Sequence, residues 1–159
     1  MDGIHVKITG TLKASFEKVK EEMPRVEARA LYKAAYFLRD AVRTSLTTKV
    51  PKATVRNPRY NDTLVDAVGF TRVDGASLTV NALGAGRPGS GAYRARFFEN
   101  DTKERFHKTR NGIPLKKKKS VGHITGTHFF ADAVNANKAN IEQIISDTIA
   151  EETQKIFNS

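Results

Sequence analysis

The chain has no cysteine among its 159 residues. That excludes a disulfide scaffold, thiolate zinc sites, iron–sulfur clusters and cysteine nucleophiles. It fits a reducing compartment. No apolar run approaches the ~20 residues that a membrane helix needs. The opening residues, MDGIHVKITG, lack a basic stretch followed by an apolar one, so no secretory signal is expected. Acidic residues are few: 17 against 27 basic, a net charge of +10. Such an excess favours polyanions or acidic protein surfaces as neighbours. Aromatics are 8%, yet apolar residues reach 39%, and charged residues are 28%. That is the composition of a globular chain, not a disordered one. A chain of this length makes a single domain and hides roughly 68–70% of its unfolded surface.

Catalytic and metal-binding constellations are equally scarce. The histidines are His5, His107, His123 and His128. The last two are five apart, not the four of a helical metal pair, and no carboxylate cluster accompanies them. Glu99 and Asp101 lie close in sequence, but paired-carboxylate catalysis needs more than two residues in a turn. No nucleophile elbow or Walker lysine is present. Gly84–Gly91 reads GAGRPGSG and matches G-x-G-x-x-G literally. A dinucleotide site needs that motif between a parallel strand and a helix. Here Pro88 interrupts it and no βαβ unit surrounds it, so a connector is the expected role. The expectation is no enzyme, no cofactor and no metal.

What is present is concentrated charge. Between Lys103 and Lys119 lie eight basic residues: Lys103, Arg105, Lys108, Arg110, Lys116, Lys117, Lys118 and Lys119. Only Glu104 opposes them, so this stretch carries about +7 of the +10. The last 32 residues, from His128, are slightly acidic. One segment therefore holds most of the excess. It reads either as a solvated loop of mutually repelling lysines or as an arm that meets a partner. At roughly 25 residues, 100–125 is too long for an ordinary connector, and it is expected to be a basic, flexible arm within the domain. Arg94 and Arg96 join these cations as candidate phosphate contacts. Tyr93, Phe97, Phe98 and Phe106 are interleaved with them and offer faces for base stacking. Core packing is the favoured reading for the first three, whose spacing lines one side of a short helix.

The apolar spacing predicts a helix from about Thr11 to Glu22, with Leu12, Phe16, Val19 and Met23 on one side. Pro24 interrupts it and suits the first turn of a second helix, from about Pro24 to Thr47. Its stripe is Leu31, Ala34, Ala35, Leu38, Ala41, Val42 and Leu46. The alanines predict close approach of a neighbour, expected to be a sheet. Val50-Pro51 stops the helix. Pro51 to Asp62 reads as a loop. Thr63 to Val73 and Ser77 to Leu83 read as strands joined by a type I′ turn at Asp74-Gly75. Ala92 to Glu99 is a third strand or a short helix. Asn111-Gly112 and Pro114 are turn signals within the basic segment. From Gly126 the helical period returns through Phe129, Phe130, Ala133, Ile141, Ile145 and Ile149 to the C-terminus, with Thr127 as N-cap.

Four stretches in this order resemble the tail-component family named for gene product 10 of phage HK97. They are MPRVEARALYKAAYFLRDAVRTSL, the hairpin LVDAVGFTRVDGASLTVNALG, AYRARFFENDTK and GTHFFADAVNANKANI. The third is similar to a Tyr-Ala-x-Phe-x-Glu-x-Gly-Thr signature, with Tyr93, Phe97 or Phe98, Glu99 and Thr102 in the matching places. Asp101 stands where the signature has glycine. The fourth is similar to the closing helix, with Phe129 and Phe130 as its aromatics. Thr127-His128 stand where the family has proline. The resemblance spans about residue 10 to 157. It implies an α+β fold: an antiparallel sheet packed on a long N-terminal helix, a C-terminal helix and a long basic loop. It implies a structural protein of the virion head–tail junction, in a neck, tail-completion or tail-terminator position, made in the host bacterial cytoplasm. Copies would form a homo-oligomeric ring around the DNA channel, between the head-side connector and the tail tube. The basic arm would reach an acidic neighbour or the packaged DNA. The alternative is a small basic protein that binds DNA or RNA.

Overall fold

One helix runs where the proline predicts two. The computed structural model describes residues 10–72, 77–81, 88–110 and 113–158. In it, α1 spans Gly10–Lys49 without a break, with Pro24 inside it. An interior proline loses one backbone hydrogen bond and crowds the preceding turn, at roughly 3 kcal/mol. Tertiary packing outweighs that local preference. Val19, Val26 and Ala30 are buried on either side of Pro24, while Pro24 itself faces solvent. The buried stripe thus includes Val26 and Ala30, which the expected stripe omits. Phe16 lies off it, 51% exposed.

The long partner of α1 is a helix, not a sheet. The C-terminal helix α3, Phe129–Phe157, lies antiparallel along it. Lys49 pairs with Asp132 at one end, Arg29 with Glu152 farther on, and Phe16 meets Phe157 edge-to-face at 5.4 Å. Ala30, Ala34 and Ala35 are buried, and their small side chains let the neighbouring elements come close. The first β-hairpin, β1 (Gly69–Arg72) and β2 (Leu78–Asn81), also sits on α1. Its strands are antiparallel, with Phe70 opposite Val80. Phe70 stacks edge-on against Tyr36 at 4.9 Å and Tyr32 at 6.0 Å. The Arg43 guanidinium donates to the Val68 carbonyl at 2.9 Å. The strand β1 begins at Gly69, later than the expected Thr63. Val65–Ala67 is a 3-10 turn, held by reciprocal bonds between Thr63 and Asp66. Those bonds hold the Asp66 carboxyl below its ordinary range. The expected turn at Asp74-Gly75, the strand end at Ala82-Leu83 and residues 84–87 of the glycine motif lie outside the described residues.

Residues 91–99 form a helix, α2 (Gly91–Glu99), which resolves the choice left open there. Two further strands follow, β3 (Arg105–Arg110) and β4 (Ile113–Gly122), paired antiparallel as a second, separate sheet. The fold is α+β. Its core gathers at the α1 C-terminus, where Val42, Leu46, Val50, Ala53, Leu64, Val68, Ala95, Phe129 and Ala133 meet. Beyond that core, α1 and α3 continue as a helical pair.

Candidate interaction site: the basic hairpin and its root

The segment expected as a basic, flexible arm, 100–125, contains the β3–β4 hairpin. All described residues from Lys103 to Thr109 and from Lys116 to Val121 are exposed. The sequence pattern explains this. Successive strand residues point to opposite faces, so four lysines in a row put cations on both faces of β4. Neither face can be buried against a helix. Phe106 lies opposite Ser120 and His107 opposite Lys119. The register shifts between Arg105 and Phe106 and again between His107 and Thr109. Such bulges bend and twist a ribbon. Among the residues whose side chains are described, Phe106 at 45%, Val121 at 43% and Ile113 at 70% exposure stand among the cations. Of the predicted basic residues, Lys103, Arg105, Lys108, Lys116, Lys117, Lys118 and Lys119 are exposed on this one projection. Arg110 sits at the end of β3, paired in register with Ile113. The expected turn at Asn111-Gly112 lies outside the described residues.

An isolated two-stranded hairpin is marginal in water, so its base matters. The base is tied by side chains on both strands' extensions. Thr102 N–H donates to the Ile124 carbonyl at 3.0 Å, and Ile124 N–H returns to Thr102 Oγ1 at 2.8 Å. Asp101 Oδ1 accepts from Gly126 N–H at 2.8 Å. Glu104 Oε1 accepts from the Ser120 hydroxyl at 2.6 Å. A side chain at Gly126 would press into the Asn100–Asp101 backbone at 2.9 Å, so the close approach requires glycine there.

The base is then fixed to the core by Glu99. Its carboxylate is buried, yet it accepts from Phe130 N–H at 2.8 Å and Ala131 N–H at 3.0 Å. These are orphan donors of the first turn of α3. A carboxylate placed there meets the positive end of the helix dipole as well. The predicted cap, Thr127, does something else. Its N–H and hydroxyl both donate to the Phe98 carbonyl, at 2.7 and 2.8 Å. Residue His128 takes the N-cap position in a left-handed conformation, φ 48°, with no side-chain cap bond. The glutamate from α2 replaces a local cap.

The signature-like residues therefore converge. Phe129 is fully buried, with Phe98 and Phe130 packed against the core around it. Tyr93 and Phe97 stack edge-on at 5.1 Å, and the Arg96 guanidinium lies 4.0 Å from the Tyr93 ring. Arg94 is engaged by Asp62 at 3.0 Å. Of the two arginines read as phosphate contacts, Arg94 is paired with Asp62, while Arg96 is exposed and lies over the Tyr93 ring. Asp62 also accepts from Gly91 N–H at 2.6 Å. Both ends of α2 are tied by carboxylates, one received and one given. The sequence pattern assigns no task to Asp62 or to Glu99. The hint for Asp62 was its place before the strand, in a polar loop with two prolines.

At the far end of the molecule the helical pair is less covered. An open groove of about 670 Å³ is lined by Met23, Ser146, Ile149, Ala150, Thr153 and Phe157, among others. Beside the Arg29–Glu152 pair, Lys155 binds the same carboxylate at 2.7 Å. Lys155 first and Arg29 second hold Glu152 below its ordinary range, and Glu152 raises Lys155 in turn. Among the described residues no group of three or more His, Cys, Asp or Glu side chains is arranged to hold a metal ion. No helix among them is long and apolar enough to cross a membrane. No family model, curated protein or solved structure matches the chain.

Proposed function

We propose that this chain is a structural subunit of a phage head–tail junction, a ring-former that works through contact surfaces. The observation that carries this reading is the convergence at the hairpin root. Glu99, Thr102, Phe98, Phe129 and Phe130, which carry the family resemblance, all serve to mount one projecting, cationic hairpin on a buried core. A ring subunit needs two unlike, complementary surfaces. The projecting hairpin supplies one, and the uncovered helical pair offers a second of different chemistry. The test is electron microscopy of lysates from a phage or prophage lacking this gene. The reading expects full heads beside separate tails, with joined particles restored by the purified protein. Normal joined, infectious particles in that lysate would refute it.

The same hairpin supports a second reading, a nucleic-acid binder. Its cations stand on both faces of a free ribbon, with Phe106 among them. Phosphate binding of that kind weakens steeply with salt, with a logarithmic slope near −0.9 per phosphate contacted. Titration of the free protein against duplex DNA across salt separates the two readings.

A further inference from the structure

We propose that the β3–β4 hairpin of one copy docks along α3 of a second copy of this chain, between Ile141 and Gln154, beside its seam with α1. The proposal rests on the ring-former reading and names the contact that joins neighbours. Charge is the first argument. The hairpin segment carries eight cations against Glu104. Residues 139–154 of α3, ANIEQIISDTIAEETQ, carry four carboxylates and no cation. Of these, Glu142, Asp147 and Glu151 are exposed, while Glu151 lies 4.0 Å from Lys33 and Glu152 is held by Arg29 and Lys155. Opposed potentials of that kind steer encounter and set register.

Apolar surface is the second argument. Ile141, Ile144, Ile145 and Ile149 are only half-buried against α1. Ile149 and Phe157 line the open groove beside them. The hairpin brings Phe106, Ile113 and Val121, all exposed. The hairpin therefore mixes its charge with exposed apolar side chains, and α3 offers the part-exposed edge of its isoleucine stripe beside its carboxylates. Length is the third. Six residues of β3 span ~20 Å at ~3.4 Å each, and sixteen residues of helix span ~24 Å at 1.5 Å each. Within its own chain the hairpin remains exposed and leaves this face uncovered. The two surfaces are different patches of one subunit, so the contact is head-to-tail and repeats from copy to copy.

Sedimentation of the full-length protein at low and moderate salt tests this. Wild type is expected to self-associate at ~50 mM salt and to dissociate toward monomer by ~200 mM. The hairpin reversal K116E/K117E/K118E/K119E and the helix reversal E142K/D147K are each expected to weaken association at least ~tenfold, with unchanged circular dichroism. Mixed together, they pair basic with acidic surfaces again, and association returns. The cysteine-free background adds a direct readout. A K118C chain mixed with a D147C chain is expected to form a disulfide-linked heterodimer under mild oxidation, and neither alone to do so to the same extent. A wild type that stays monomeric at both salts overturns the proposal. So does a mixture of reversals that fails to reassociate. If the lysine reversal abolishes binding to duplex DNA and leaves sedimentation unchanged, the hairpin serves phosphate and the proposal is wrong. Failure of the lysate experiment with wild-type protein leaves this result standing, so the two readings fail separately.

Discussion

The molecule contains two antiparallel hairpins with opposite fates. The β1–β2 hairpin lies on α1, and its Phe70 ring is held between Tyr32 and Tyr36. The described side chains of the β3–β4 hairpin from Arg105 to Thr109 and from Lys116 to Val121 are exposed. Both are antiparallel pairs, so antiparallel pairing alone does not decide the outcome. The side-chain pattern does. In β2, Leu78 and Val80 alternate with polar residues, which leaves one face fit for burial. In β4, Lys116 to Lys119 leave no such face. What the second hairpin lacks in packing it makes up at its base, through Asp101, Thr102, Glu104 and, one step removed, Glu99.

Substitutions can break or sharpen this contrast. The largest effect is expected at Phe129, which holds the root of the exposed hairpin in the core. Phe129→Ala should cost ~3–5 kcal/mol in a urea unfolding experiment. Next comes Glu99→Ala, which leaves the Phe130 and Ala131 amides of α3 without their acceptor. It should cost about 2 kcal/mol and speed hydrogen exchange at those two amides. Glu99→Gln, which keeps one acceptor oxygen, should lose less. Phe70→Ala removes the anchor of the packed hairpin and should cost roughly 1–2 kcal/mol. The matching change in the exposed hairpin, serine at all four of positions 116–119, should move stability by no more than about 0.5 kcal/mol. A large loss there would show that the lysines do pack.

The smallest effect concerns pH. Lys49 holds the Asp132 carboxyl below its ordinary value of 3.8 by hydrogen bonding and by charge. A lowered folded pKa gives stability that is present above the unfolded value and is lost as pH falls through the folded one. Asp132→Asn should therefore lower Tm slightly near neutral pH. The difference should vanish once the pH is well below 3.8. The pair is at the surface, so the shift is small.

Several of these features are legible in the sequence, and the reasons are local. The end of α1 near Val50 and the existence of the first hairpin follow from proline and alternation, while the α+β class is what the family resemblance implies. The uninterrupted α1 does not, because Pro24 argues for a break, and only the burial of Val26 and Ala30 against distant residues overrides it. The cap of α3 is illegible for the same reason. Thr127 has the right chemistry at the right place, but the acceptor is Glu99, 31 residues upstream of the amide it serves. The basic segment is legible as charge and not as strand. Its lysines mask the alternation that identifies β-structure elsewhere. Asp101, a departure from the resembling signature, becomes intelligible only beside Gly126.

If the β3–β4 hairpin is the working surface and the remainder its mount, removing the hairpin abolishes joining and spares the fold. The most direct test replaces Arg105–Gly122 with a short Gly-Ser linker and adds the purified chain to a lysate that lacks the gene. The account predicts a folded protein with near wild-type melting that leaves heads and tails apart, where wild type joins them. Joining by the shortened chain at wild-type efficiency would contradict it.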